Sequence, residues 1–391
     1  MKIILSCFLC LLNIIPLTLV SQGFPIGHRT MNFTDPMRNN RSVPCELYYP
    51  GADAGNNVPV ASGAFPVISF GHGFLMAYDS YLYLKDSLVP RGYIMVFTKT
   101  EGGIAPDHLA LGEDLAFLII QMKTEGNSTT SPFFGHVDST SAIMGHSMGG
   151  GASFLACENN QVPTAMVTFA AAETTPSAIH AAKQISQPSL VFAAEKDCVA
   201  PPAQNQVPMY DSLASDCKFF VNIKGGGHCY FADYNFQCSL GEVGCQQTFT
   251  ITREEQHGIT LDLLLPFLNY YLKKDASSWI VFNDTLESST RITYLKSCTI
   301  TGNPAPPIEA SFLVFPNPVN DQVIVNSRVR NDLILGIKIH TLAGNLIYQK
   351  QAIDAIGDEK MIIDFSNFPC GIYLLEVEGK ISNRIFKLVR D

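Results

Sequence analysis

The chain has 391 residues, 47% hydrophobic and only 16% charged, enough apolar material for about two or three domains with buried cores. Its net charge of −9 comes with no cluster of Lys or Arg to neutralise phosphates, which excludes a nucleic-acid binder and favours a neutral or apolar substrate.

Lys2 precedes a mostly apolar run from Ile3 to Val20 that closes on Ser21, Gln22 and Gly23, the layout of a secretory signal peptide over residues 1–22. A retained anchor is the alternative, but Pro16 and the polar end favour cleavage. Cys7 and Cys10 lie too early for a lipoprotein signal. Export places the other cysteines where disulfides form. Leaving aside those two and the isolated Cys370, an even set remains: Cys45, Cys157, Cys198, Cys217, Cys229, Cys238, Cys245 and Cys298. The only C-x-x-C pair is Cys7 with Cys10, so no metal site is expected.

Residues 23–300 alternate strand-like apolar runs with helical patterns, which predicts a mostly parallel sheet flanked by helices. Strands are expected around Val67–Phe70, Gly92–Phe97, Ser141–Met144, Ala165–Phe169, Ser189–Ala193 and Phe219–Ile223. Leu109–Met122 repeats apolar residues at helical spacing behind Asp107, a candidate N-cap. The polar, proline-rich residues 301–311 read as a linker. Residues 312–391 then show only alternating segments such as Val323–Val325, Ile337–Ile339 and Ile372–Leu375, which predicts a small β-sandwich.

Gly145-His146-Ser147-Met148-Gly149 carries the chemistry. A G-x-S-x-G between a strand and a helix forces its serine into a strained, exposed elbow, so Ser147 is the candidate nucleophile. A serine needs a histidine to take its proton and a carboxylate to fix that histidine's tautomer, in the chain order Ser, Asp or Glu, His for this kind of sheet. Asp197 follows the strand ending at Ala193, and His228 follows the strand Phe219–Ile223 through Lys224-Gly225-Gly226-Gly227. Glu195 competes with Asp197 but lies nearer the strand. His180 and His257 fall in predicted helices as surface or packing residues, while His72 and His146 suit positioning more than proton transfer. The backbone N–H groups of Met148 and of Phe74, in Gly71-His72-Gly73-Phe74, are the candidate oxyanion donors, with both side chains as apolar cleft walls. Phe74 as a core residue is the alternative.

With those motifs stated, residues 65–272 resemble the polyester hydrolase, cutinase and lipase group of α/β-hydrolases, which includes poly(ethylene terephthalate) hydrolases. The resemblance rests on residues 71–74, 145–151, Asp197-Cys198-Val199-Ala200-Pro201 and Gly226-Gly227-His228. It implies an α/β-hydrolase fold, a triad of Ser147, Asp197 and His228, and an oxyanion hole at Phe74 and Met148. Such hydrolases carry a tryptophan where this chain has Ala172-Glu173-Thr174-Thr175, and the one tryptophan, Trp279, lies far along the sequence. The missing aromatic wall lowers the expected hold on a terephthalate ring.

Cys198 and Cys229 each follow a triad residue, so a bridge between them would clamp the Asp and His loops; the resemblance implies a similar tie one step shifted. Cys238 and Cys245 then make a local loop. The other four cysteines allow three pairings, or free buried thiols.

Phe315-Pro316-Asn317-Pro318, Gly371-Ile372-Tyr373 and Lys387-Leu388-Val389-Arg390 resemble the C-terminal sorting domain of type IX secretion cargo. This implies export across an outer membrane, the secretion machinery as a partner, and an extracellular or cell-surface location. An accessory β-sandwich that binds substrate is the alternative. The resulting expectation is a secreted, monomeric serine esterase without cofactor, acting on a polyester through an acyl-enzyme in an open cleft. A lipase or phospholipid-type acyl hydrolase is the rival enzyme, and a surface-binding protein on a dead hydrolase scaffold is the non-enzymatic rival.

Overall fold

A computed structural model describes residues 23–245, 248–298, 312–327, 333–341, 345–352, 357–380 and 383–390. The expected signal peptide at 1–22 and linker at 301–311 lie outside the described residues. Contacts divide the chain into two units, Met1–Ser215 with Phe220–His257 and Asp216–Phe219 with Gly258–Asp391.

The first unit runs β1 (Ile26–Asp35), β2 (Arg41–Pro50), β3 (Gly55–Asn56), β4 (Phe65–Gly71), α1 (Leu82–Leu88), β5 (Ile94–Thr98), α2 (His108–Asn127), β6 (Val137–His146), α3 (Met148–Cys157), β7 (Ala165–Phe169), α4 (Ala178–Ala182), β8 (Ser189–Ala194), α5 (Gln206–Ser212), β9 (Cys217–Ile223, whose residues up to Phe219 fall in the second unit) and α6 (Phe236–Glu242). The sheet order is β9-β8-β7-β6-β4-β5-β2-β1-β3. Neighbours from β5 through β4, β6 and β7 to β8 are parallel, whereas β1 and β2 pair antiparallel and β2 joins β5 antiparallel. Every residue of β4, β5, β7 and β8 is buried, as strands covered on both faces require.

The β1–β2 hairpin extends the sheet beyond the strands expected from sequence. Asn39 and Asn40 turn it with φ of 52° and 56°, a conformation asparagine tolerates. Arg38 and Arg41 then reach the buried Asp114 of α2 at 2.6 and 2.7 Å, so the hairpin is ion-paired to the helix behind the sheet. Helix α2 begins where the sequence expects, with Asp107 accepting from the Leu109 and Ala110 N–H groups at 3.0 Å.

In the second unit, α7 (Arg253–Lys273, entering from the first unit) is followed by α8 (Ala276–Ser288) and β10 (Ile292–Cys298), which extends the sheet beside β9. Trp279 sits in a ring cluster with Phe219 and Phe282. Two antiparallel sheets follow. One is β11 (Phe312–Phe315), β12 (Gln322–Ser327) and β15 (Lys360–Asp364); the other holds β13 (Ile334–Thr341), β14 (Leu346–Gln351), β16 (Gly371–Gly379) and β17 (Asn383–Arg390). Val325 and Ile363 of the first and Ile339, Leu375 and Leu388 of the second share one core, the expected sandwich.

Candidate active site

Strand β6 enters helix α3 through Ser147 alone, whose φ of 54° and ψ of −118° are strained for a residue with a Cβ. The elbow closes because glycines let the backbones meet: a Cβ on Gly149 would stand 2.2 Å from the Gly71 carbonyl oxygen. That close packing lets α3 start at Met148, directly after the serine. Ser147 is only 8% exposed rather than open, because the His228 ring lies against its hydroxyl.

Ser147, His228 and Asp197 form one buried hydrogen-bonded chain. Asp197 follows β8 and accepts from the Val199 and Ala200 N–H groups at 2.9 and 2.8 Å, which fixes the carboxylate. Its other oxygen is 2.7 Å from His228 Nδ1, and His228 Nε2 is 2.9 Å from Ser147 Oγ. A carboxylate only accepts, so Nδ1 carries the proton and Nε2 is left to accept the Ser147 O–H. Glu195 points elsewhere, accepting from the Gly225 N–H at 2.7 Å; that bond holds its carboxyl below the usual range. His180 lies in α4 and His257 in α7, and neither joins the chain.

Facing the serine, Gly71-His72-Gly73-Phe74 leaves β4. Among the described residues, neither the Phe74 nor the Met148 N–H has a hydrogen-bond partner, and Ser147 does not cap α3. Phe74 is 48% exposed and so is no core residue. Met148 corrects the expected wall: it is buried in the core cluster, because α3 is buried along its whole length. Behind the loop lies a cavity of about 260 Å³ lined by His72, Leu75, Met76, Ala77, Tyr78, Thr98, Lys99 and Gly102.

His72 and His146 both brace backbone. His72 places its ring nitrogens 2.9 Å from the Gly73 and Thr100 carbonyls. His146 Nε2 donates to the His228 carbonyl at 3.1 Å, so its Nδ1 accepts the Tyr81 O–H at 2.9 Å. Tyr81 Oη in turn accepts the Gly73 N–H at 2.9 Å. Burial, followed by repulsion from His228, pushes the His146 ring well below its usual 6.5. Elbow, oxyanion loop and histidine loop are thus joined through one neutral imidazole.

The histidine loop is held by residues that sequence spacing did not indicate. Gln256 of α7 bonds Gly227 twice, accepting its N–H and donating to its carbonyl, each at 3.0 Å. Arg253 donates to the carbonyls of Cys229 and, at 2.6 Å, Ala232. Glu242 of α6 accepts the Cys229 N–H at 2.9 Å.

The disulfides correct the expected pairing. Cys198 bonds Cys245 and Cys229 bonds Cys238, so Cys198 and Cys229 are not joined, nor are Cys238 and Cys245. The segment carrying α6 supplies both partners, reaching Cα separations of 5.6 and 5.7 Å that bridges require. Asn235 caps α6 at the Cys238 N–H and turns Cys238 back toward Cys229. Of the remaining four, Cys217 pairs with Cys298, while Cys45 and Cys157 are buried free thiols.

The sheet order, the serine elbow between β6 and α3, and loops after β8 and β9 that reach it define an α/β-hydrolase. The chain belongs to the PET hydrolase-like family, whose model matches residues 45–250. Residues 313–390 match the secretion system C-terminal sorting domain, so the sandwich is a sorting domain and the chain a secreted one. Cutinase 1 of Thermobifida cellulosilytica is 26% identical over 175 residues, 44% of this chain and 63% of that protein. The cutinase of Thermobifida fusca (strain YX) is 26% identical over 44% of this chain and 54% of its own length. A bis(hydroxyethyl) terephthalate hydrolase of Streptomyces coelicolor is 28% identical over 43% of this chain and 49% of its own length. The chain thus spans about half to five-eighths of these curated relatives.

Proposed function

We propose that this chain is a secreted serine esterase that cleaves carboxylic esters of a polyester through an acyl-enzyme. The observation that carries the reading is the buried Ser147–His228–Asp197 chain at 2.9 and 2.7 Å, with two backbone N–H groups that have no partner among the described residues. His228 Nε2 takes the Ser147 proton as Oγ attacks the acyl carbon, and Asp197 stabilises the imidazolium that forms. The oxyanion is received by the Phe74 and Met148 N–H groups, each such donor being worth about 2.7–4 kcal/mol in the transition state. His228 then protonates the leaving alcohol, and water repeats the attack on the acyl-enzyme. Exposed Phe74 suits an apolar ester group, and the cutinases and the bis(hydroxyethyl) terephthalate hydrolase among the relatives support a polyester.

The test is turnover of short- and long-chain p-nitrophenyl esters and of an amorphous aromatic polyester film by the wild type and by Ser147→Ala. Serine removal should cost on the order of 10⁶ in kcat, and Asp197→Asn about 10⁴. Retained turnover in folded Ser147→Ala would reject the mechanism. Release from soluble esters with none from the film would reject the polyester as substrate.

A further inference from the structure

Helix α6 carries its apolar stripe outward. Phe236, Leu240 and the C-cap residue Val243 recur at i, i+4 and i+7 and share one face, yet they are 61%, 56% and 78% exposed. The inward side holds buried Cys238 and the Glu242 carboxylate on the Cys229 N–H. Exposed Tyr234 precedes the helix. Exposed Val199, two residues after Asp197, comes within 3.7 Å of where a Cβ on Gly241 would stand, so the patch is continuous with the Asp197 loop.

A helix of seven residues does not hold such a face by itself. Two disulfides hold it: Cys229–Cys238 within it and Cys198–Cys245 just past its end, each tied to the residue following Asp197 or His228. The apolar residues therefore cannot turn inward. Between Tyr234 and Cys245 the only charged residue is Glu242, which faces in, so the patch meets a partner without charge. The chain's net charge of −9 opposes an anionic membrane.

We propose that this face of α6 is a docking surface for the uncharged, apolar surface of a solid polyester, laid beside the Asp197 loop of the serine site. The inference rests on the ester-hydrolase reading above and adds to it the place where the solid substrate is held. Apolar side chains leaving water against the polymer supply the affinity, and the stapled helix loses little conformational entropy on docking.

The experiment combines Phe236→Ser, Leu240→Ser and Val243→Ser in the full chain. Adsorption to amorphous aromatic polyester nanoparticles is measured in the Ser147→Ala background, and soluble-ester and film turnover in the active background. Adsorption and film release should each fall about tenfold or more, while soluble-ester kcat/KM stays within about twofold. Unchanged adsorption by the folded triple variant overturns the proposal. So does tighter binding of the wild type to phosphatidylcholine vesicles than to the polymer, or a wild-type dimer that the substitutions dissociate. Should the triple variant fail to fold, Val243→Ser alone reads the same effect, with about a threefold loss of adsorption expected and no change overturning the proposal. Adsorption needs no turnover, so the two readings fail separately. A chain that adsorbs through α6 but cleaves no ester defeats the esterase, whereas soluble-ester turnover with adsorption indifferent to α6 defeats only the docking face.

Discussion

At the scale of single residues, His146 links three parts of the site, and its protonation state sets a pH dependence. The ring accepts Tyr81 O–H at Nδ1 and donates at Nε2, and burial keeps it neutral well below its usual 6.5. An unfolded chain titrates the same ring near 6.5, so below that pH the unfolded state binds more protons and stability falls as pH falls. The slope is about 1.4 kcal/mol per pH unit per histidine, with no contribution above the unfolded value. His257, also lowered by burial, acts with the same sign. Glu242 opposes them: burial raises its carboxyl, so it stabilises below 4.5 and loses that contribution as pH rises. Urea midpoints should therefore drop between pH 7.5 and 5.5, and His146→Gln should flatten the drop. An equal slope in both chains would place the acid sensitivity elsewhere. The Ser147, Asp197 and His228 positions were legible because each follows the end of a buried strand, and strand ends can be read from apolar runs. Tyr81, Gln256 and Arg253 were not, because nothing in their local sequence marks a side chain that bonds backbone far along the chain.

At the scale of elements, legibility followed burial. Strands β4, β5, β7 and β8 are unbroken apolar runs covered on both faces, so they announce themselves. In β1 polar and apolar residues mix, its burial alternates irregularly, and its asparagine turn differs from the usual Asn-Gly signal. The cysteine pairing was hidden because α6, too short and polar on its inner side to be foreseen, brings its own partners to Cys198 and Cys229. Its position also separates two effects of disulfide loss. Sequence separations of 81, 47 and 9 residues for Cys217–Cys298, Cys198–Cys245 and Cys229–Cys238 predict losses of about 4.5, 4 and 2.7 kcal/mol from chain entropy. Activity should follow the opposite order. Cys229→Ser with Cys238→Ser loosens the residue after His228 and should lower soluble-ester kcat/KM most, while Cys217→Ser with Cys298→Ser lowers the urea midpoint most. If kcat/KM instead declines in step with the midpoint, α6 does not hold the histidine loop.

At the scale of the whole chain, the residues beneath the serine elbow and those inside the sandwich belong to separate cores. The cluster around Val67, Ile143 and Met148 packs beneath the serine elbow, and every member of the sandwich core lies between Phe312 and Leu388. Gly258–Cys298, with α8 and β10, nevertheless falls in the same compact unit as the sandwich, so the chain does not divide at the expected linker. Removing residues 301–391 decides which description governs stability. Each member of the Ser147 chain and each bond that holds the histidine loop lies before Gly258, so the shortened chain should keep soluble-ester kcat/KM within about twofold. If α8 and β10 draw their stability from Cys217–Cys298 and the Trp279 cluster, the urea midpoint will also stay put, and the sorting domain is a passenger for export. A large fall in the midpoint with kcat/KM preserved would make the sandwich a stabilising partner of α8 and β10. A loss of kcat/KM in a chain that still unfolds cooperatively would show that ester cleavage needs the sorting domain, against a catalytic region confined to residues 23–300.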